Sequence, residues 1–253
     1  MSRYFLELAY KGKDFSGFQV QQNAVTIQSE VEKAIEILQK EKVILTGSSR
    51  TDAGVHALQN YFHFDFDREL NKQFVYKMNA ILPASIVIKN LIEVEPGAHC
   101  RFDALSREYD YHIYRFKNPF INDVSYYYPY KLSIDLLNQA AYIIKEYSDF
   151  TSFSKRNTQV KSFLCKIETS GWVIKDDQLI YKVSANRFLR GMVRALTATM
   201  LKVGRQKMGL EEFRSVIEMK DCTMASFAVP AHGLFLTKVN FPCDYFQLGQ
   251  KKM

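Results

Sequence analysis

Gly47-Ser48-Ser49-Arg50-Thr51-Asp52-Ala53-Gly54-Val55-His56-Ala57 is a run of turn-forming and ionisable residues set between two apolar segments. Before it, Val43, Ile44 and Leu45 read as a short buried strand. After it, Phe62, Phe64 and Phe66 alternate with Tyr61, His63, Asp65 and Asp67, the period-two pattern of a strand over 60–67. Asp52 is therefore expected on a turn held between strands, a place where a rigid scaffold can aim a carboxylate at a ligand. The same residue types also suit an Asx-turn, in which the Asp only accepts backbone N–H groups.

Working outward, 3–10 alternates as a strand, and Thr26 opens a helix whose apolar stripe is Ile27, Val31, Ala34, Ile35 and Leu38. A helix near 70–80 and a strand through Ile86, Val87, Ile88, Leu91 and Ile92 complete a β-α-β-β-α-β order, the split ferredoxin-like unit. Such a unit has helices on one face of an antiparallel sheet and leaves the other face available. Glu95-Pro96-Gly97 punctuates the chain, and Tyr109, Tyr111 and Ile113 then alternate with Asp110, His112 and Tyr114 in a strand over 107–116. A helix over 133–147, strands over 160–170 and 179–185, a helix over 188–203 and a last strand over 234–240 repeat the order, apart from an extra helix near 211–218. The expected fold class is thus α+β, with two tandem ferredoxin-like (RRM-like) halves, 1–105 and 106–253. The first carries the Asp52 loop and the second the tyrosine strand and an arginine-rich segment.

The 253 residues carry a formal net charge of +7 with scattered Lys and Arg, which suits a polyanionic partner, although moderate basicity also serves solubility alone. Aromatic residues make up 14%, with 19 Phe and 15 Tyr, enough to leave some rings for stacking on bases. Cys100, Cys165, Cys222 and Cys243 are far apart and His residues are not clustered, so neither a zinc site nor a disulfide framework is expected. No window approaches the length of a membrane span and the N-terminus lacks a leader pattern, so no membrane association and a cytoplasmic location are expected. Arg187, Arg190 and Arg194 fall three and four residues apart, which would put them on one side of the 188–203 helix, as a solvated basic face or as an anion site. His56, four residues from Asp52, could tempt a metal reading; without an evident third ligand it reads as a hydrogen bonder shaping the loop. His63, Asp65 and Asp67 read as a solvated strand face.

The undecapeptide resembles the signature loop of the TruA family of tRNA pseudouridine synthases, in an Arg50-Thr51-Asp52-Ala53-Gly54-Val55-His56-Ala57 run. The resemblance continues through Gly17-Phe18-Gln19, Arg107-Glu108-Tyr109-Asp110-Tyr111, Phe150-Thr151-Ser152-Phe153, Asn186-Arg187-Phe188 to Met192-Val193-Arg194, and Pro230-Ala231-His232-Gly233-Leu234-Phe235. Two positions depart from the family pattern: Ser49 stands where Gly is usual, and Phe18 where Trp is usual. The resemblance implies an isomerase that converts uridine to pseudouridine in the anticodon stem-loop of tRNA, works as a homodimer, and uses no cofactor and no metal. It implies that Asp52 is catalytic, that Arg50 enters the space of the displaced base or binds phosphate, and that Arg194 lies beside the catalytic acid. It further implies that Tyr109 stacks on the target base, that Phe188, Met192 and Leu234 line the substrate pocket, and that the sheets of the two halves join around a central cleft. Two alternatives stay open on the residues alone: a non-catalytic RNA-binding module, and a metal-dependent phosphodiesterase using Asp52, His56 and the strand acids.

Overall fold

A computed structural model describes residues 1–156 and 160–246 of the chain. By its internal contacts the chain divides into two units, residues 1–105 together with 236–253, and residues 106–235. The first unit contains β1 (Ser2–Tyr10), α1 (Ile27–Gln39), β2 (Thr46–Gly47), β3 (His56–Phe66), α2 (Phe74–Ile81) and β4 (Ile86–Val94). Its strands lie in the order β4-β1-β3, antiparallel throughout, with Phe5 opposite both His63 and Ile92. Thr26 starts α1 as expected: its hydroxyl accepts from Ser29 N, and Ser29 Oγ accepts from Thr26 N, a capping box with Ser in the place usually held by Glu.

The strand expected over 43–45 does not form. Leu45 N donates to Glu32 Oε1 at 3.0 Å and Leu45 O accepts from Gln28 Nε2 at 2.9 Å, so side chains of α1 take the backbone groups that a ladder would need. Ile44 is 85% exposed, and pairing begins only at Thr46, opposite His63. In turn β3 begins at His56, earlier than the alternation of Phe residues suggests, so the end of the quoted stretch already belongs to the sheet.

The second unit contains β5 (Ser106–Tyr114), β6 (Tyr126–Tyr127), α3 (Ile134–Ile143), β7 (Ile167–Lys175), β8 (Gln178–Ala185), α4 (Met192–Gly204) and α5 (Leu210–Glu218). β5, β8 and β7 lie in that order and are antiparallel; β6, unforeseen from its Tyr-rich sequence, pairs parallel to β5. The strand expected over 160–170 begins only at Ile167, partly because Lys166 N is taken by Asn186 Oδ1 at 2.8 Å. The helix expected from 188 begins only at Met192. Gly191 stands before it at φ 74°, a left-handed conformation that breaks the helical path and that a residue without Cβ adopts at little cost. Arg187 and Arg190 therefore precede α4, and only Arg194 is on it, which corrects the expectation of three arginines on one helical side.

The last strand, β9 (Leu234–Asn240), matches its expected span, and its residues from Leu236 onward belong to the first unit beside β3. There Val239 N donates to Gln59 Oε1 at 3.1 Å. The chain then packs aromatic residues on the sheet face that carries Phe5 and Tyr61. Phe5 and Tyr61 meet Phe241 at 5.7 and 5.3 Å between ring centres, and both also meet Phe246. Tyr245 joins this cluster and donates its hydroxyl to Asp103. Among the described residues no helix is long and apolar enough to cross a membrane.

His63 is packed against Phe5 and His99 and is 6% exposed, instead of lying on a solvated face. Burial, with the neighbouring His99 and Arg3, lowers its pKa to about 4. The unfolded chain then binds a proton near pH 6.5 that the folded chain refuses, so stability is full above that pH and falls as the pH drops toward 4. We expect wild-type protein to lose roughly 2 kcal/mol between pH 7 and pH 5 from this group alone. His63→Asn, whose side-chain oxygen can take the place of Nδ1 as acceptor for Cys100 N, should flatten that slope in urea unfolding; an unchanged slope would show that other groups set it.

Candidate functional site

The Asp52 loop is clamped to its surroundings by backbone and buried side-chain hydrogen bonds. Ser48 N donates to Tyr61 O at 2.8 Å, and Asn60 Nδ2 donates to Ser49 O at 2.8 Å, fixing the loop's entry onto β3. Phe18 N donates to Thr51 O at 3.1 Å, while the Thr51 hydroxyl pairs with the Tyr10 hydroxyl at 2.8 Å. At the exit, Gly54 N donates to Gly12 O at 3.2 Å, and Gly12 N donates to His56 Nδ1 at 3.1 Å. Asp52 itself opens a tight turn in which Val55 N donates to Asp52 O at 3.1 Å, and its side chain is half-buried. The result is a carboxylate carried on a turn whose flanks are fixed from both ends.

Gly12 is required by the closeness of this clamp. A Cβ built on it would lie 1.9 Å from Val55 O, inside any permissible contact, so the 11–13 turn can approach the loop only without a side chain. His56 is 1% exposed and spends Nδ1 on Gly12, which makes it the loop-shaping hydrogen bonder expected from the sequence. Ser49 has no positive φ, so its side chain costs no backbone strain where the family pattern has Gly. Its hydroxyl and that of Ser48 are buried with no hydrogen-bond partner among the described residues. Phe18 is 1% exposed and stacks on Phe62 at 4.5 Å and 10°, filling the place of the usual Trp with core packing.

Arg50 is exposed on the same loop as Asp52 and borders a cavity of about 200 Å³ with Phe18, His99, Arg101 and Phe102. The last three escaped the sequence reading because the run after Pro96-Gly97 looked like punctuation alone. Among the described residues no group of three or more His, Cys, Asp or Glu side chains is arranged to hold a metal ion.

In the second unit, Tyr109 on β5 is 9% exposed and meets Phe188 edge-to-face at 5.1 Å, so the structure brings these two sequence candidates together. Met192, the first residue of α4, is fully buried, and Leu234, the first of β9, is 6% exposed. Arg194 is half-buried and donates through Nε at 3.0 Å and Nη2 at 2.7 Å to Val229 O. The next carbonyl, Pro230 O, accepts from the Tyr111 hydroxyl at 2.8 Å. Together these bonds fix the segment leading into Leu234.

A profile of the family described as tRNA pseudouridine synthase matches residues 8–103 and 147–242. The chain belongs to that family. It is 42% identical over 248 residues to tRNA pseudouridine synthase A of Parabacteroides distasonis, covering 97% of this chain and 98% of that protein. The protein of the same name from Bacteroides fragilis is 40% identical over 250 residues, with 98% and 99% covered. That of Staphylococcus aureus is 37% identical over 240 residues, with 94% and 91% covered. Membership makes the chain an enzyme of the isomerase class.

Gly12→Ala tests the clamp directly. The added methyl must push back Val55 O, and we expect a loss of about 2–4 kcal/mol in urea unfolding, larger than Gly→Ala costs at an unstrained surface position. A neutral or stabilising result would mean that the 11–13 turn moves away freely.

Proposed function

We propose that this protein converts uridine to pseudouridine in the anticodon stem-loop of tRNA, with Asp52 as the catalytic residue. The observation that carries the reading is the Asp52 turn itself, held by hydrogen bonds at both flanks inside the run that resembles the family's signature loop. In this reaction the N-glycosidic bond breaks, the uracil turns, and its C5 rejoins the ribose C1′. No atoms are gained or lost, so no redox cofactor is called for. Attack by the carboxylate on C1′ and removal of a ribose proton both require Asp52 as the anion.

The target base must leave its stack to reach a protein carboxylate, at a cost of a few kcal/mol. In this reading Tyr109 stacks on the target base, Phe188, Met192 and Leu234 line its pocket, and Arg194 supports the acid. Arg50 binds RNA beside Asp52. The two tandem halves divide the work, the first supplying the acid and the second the base-holding residues, and the enzyme acts as a homodimer. Support for these assignments comes from the family match and from the placement of each residue in its own unit. The burial of His56, with Nδ1 engaged by Gly12, speaks against the phosphodiesterase alternative.

The test is incubation of purified protein with unmodified tRNA in EDTA, followed by chemical mapping of pseudouridine. Modification confined to the anticodon stem-loop is the expected result, and none at all would reduce the protein to an RNA-binding module. Arg194→Lys keeps the charge but loses the planar fork that grips Val229 O, so single-turnover rate should fall tenfold or more while tRNA affinity changes little. Equal loss of both would reassign Arg194 to RNA backbone contact.

A further inference from the structure

We infer that the cavity beside Arg50 is a second RNA subsite, which takes the phosphate of a nucleotide neighbouring the target and stacks that nucleotide's base on Phe102. It is a separate hollow from the Asp52 turn, about 200 Å³ in volume, and its cationic wall combines Arg50 with Arg101. Both side chains are exposed, and Arg50 forms no ion pair among the described residues. Planar guanidinium groups facing one hollow suit a phosphodiester, whose oxygens accept paired N–H bonds.

The third polar wall is His99, whose orientation is set by its own turn. Arg101 N and Phe102 N donate to His99 Nδ1 at 3.2 and 3.4 Å, which leaves the ring proton of the neutral imidazole on Nε2 as a further donor. The turn is pinned from outside as well, since His99 N donates to Asp103 Oδ2 at 2.7 Å and the His99 ring packs on His63 at 4.5 Å. Phe102 is 74% exposed at the rim of this hollow, so its ring is within reach of a ligand. It rests against the His99 ring at 4.2 Å and lies beneath the Arg101 guanidinium at 5.7 Å, so its place at the rim is fixed before any ligand arrives. Exposed aromatic and guanidinium planes next to a cationic groove are the means by which proteins hold unstacked bases. Because Arg50 stands two residues from Asp52, the nucleotide held here is one close in space to the uridine being modified.

The inference rests on the RNA-modifying reading, and the experiment keeps the two apart by measuring filter-binding affinity for tRNA across salt concentrations beside single-turnover conversion. Arg101→Ala should weaken binding roughly tenfold and lower the log-log salt slope by about one, with the saturating rate within about twofold of wild type. Phe102→Ala should weaken binding roughly fivefold or more with the slope unchanged, and Phe102→Tyr should restore it, because an aromatic face is what the base needs. Both positions are exposed, so melting temperatures should stay near wild type. Wild-type affinity and slope in Arg101→Ala, from a preparation whose parent converts tRNA, would overturn the subsite while leaving the proposed function intact. Absence of conversion by the parent would instead sink the proposed function, and an unchanged affinity in both alanine variants would then sink the subsite too.

Discussion

The contact between Gly12 and the 54–56 segment is the constraint on which the candidate site depends. A backbone N–H on an imidazole nitrogen, and a backbone carbonyl accepting from Gly54, tie the turn after β1 to the start of β3. Since β1 and β3 are already paired from Ser2 with Phe66 to Tyr10 with Ala57, the tie closes the open end of that ladder. The Asp52 turn is what remains between this closure and the Ser48–Tyr61 bond. It therefore inherits the stiffness of the sheet without belonging to a strand, which is what a catalytic group needs to be held within a fraction of an ångström.

Stiffness of this kind has local costs. Ser48 and Ser49 bury hydroxyls without partners among the described residues, at roughly 1–3 kcal/mol each, in the stretch that leads to Arg50 and Asp52. Those costs are carried by the surrounding packing: Phe18 stacked on Phe62 on one side of the sheet, and Phe5, Tyr61, Phe241 and Phe246 on the other. The +7 charge acts on a different scale, attracting a polyanion without deciding where it is modified.

Much of this was legible in the residues because local pattern and final environment agree. Thr26 and the Ile27, Val31, Ala34, Ile35 stripe give α1, and the alternation through Tyr109 and Tyr111 gives β5 with both rings buried. The readings failed where a distant group decided the outcome. Val43–Leu45 looks like a strand, but Glu32 and Gln28 take the backbone of Leu45; Phe188 looks helical, but Gly191 turns the chain first. His63 reads as solvated until Phe5 and His99 are found against it. In the site, Asp52 and Arg50 were visible because they share one contiguous run. His99, Arg101 and Phe102 were not, since their meeting with Arg50 is a property of the fold and leaves no local spacing to read.

The central claim, that the loop exists to present an anion at Asp52, is tested most directly by single-turnover conversion of tRNA with Asp52→Asn in excess over substrate. Asn keeps the shape and the turn-forming capacity of Asp and removes only the charge. The account expects no detectable pseudouridine, with melting temperature and tRNA affinity near wild type. Substantial conversion by the variant would contradict it, and would leave Asp52 as a turn residue and nothing more.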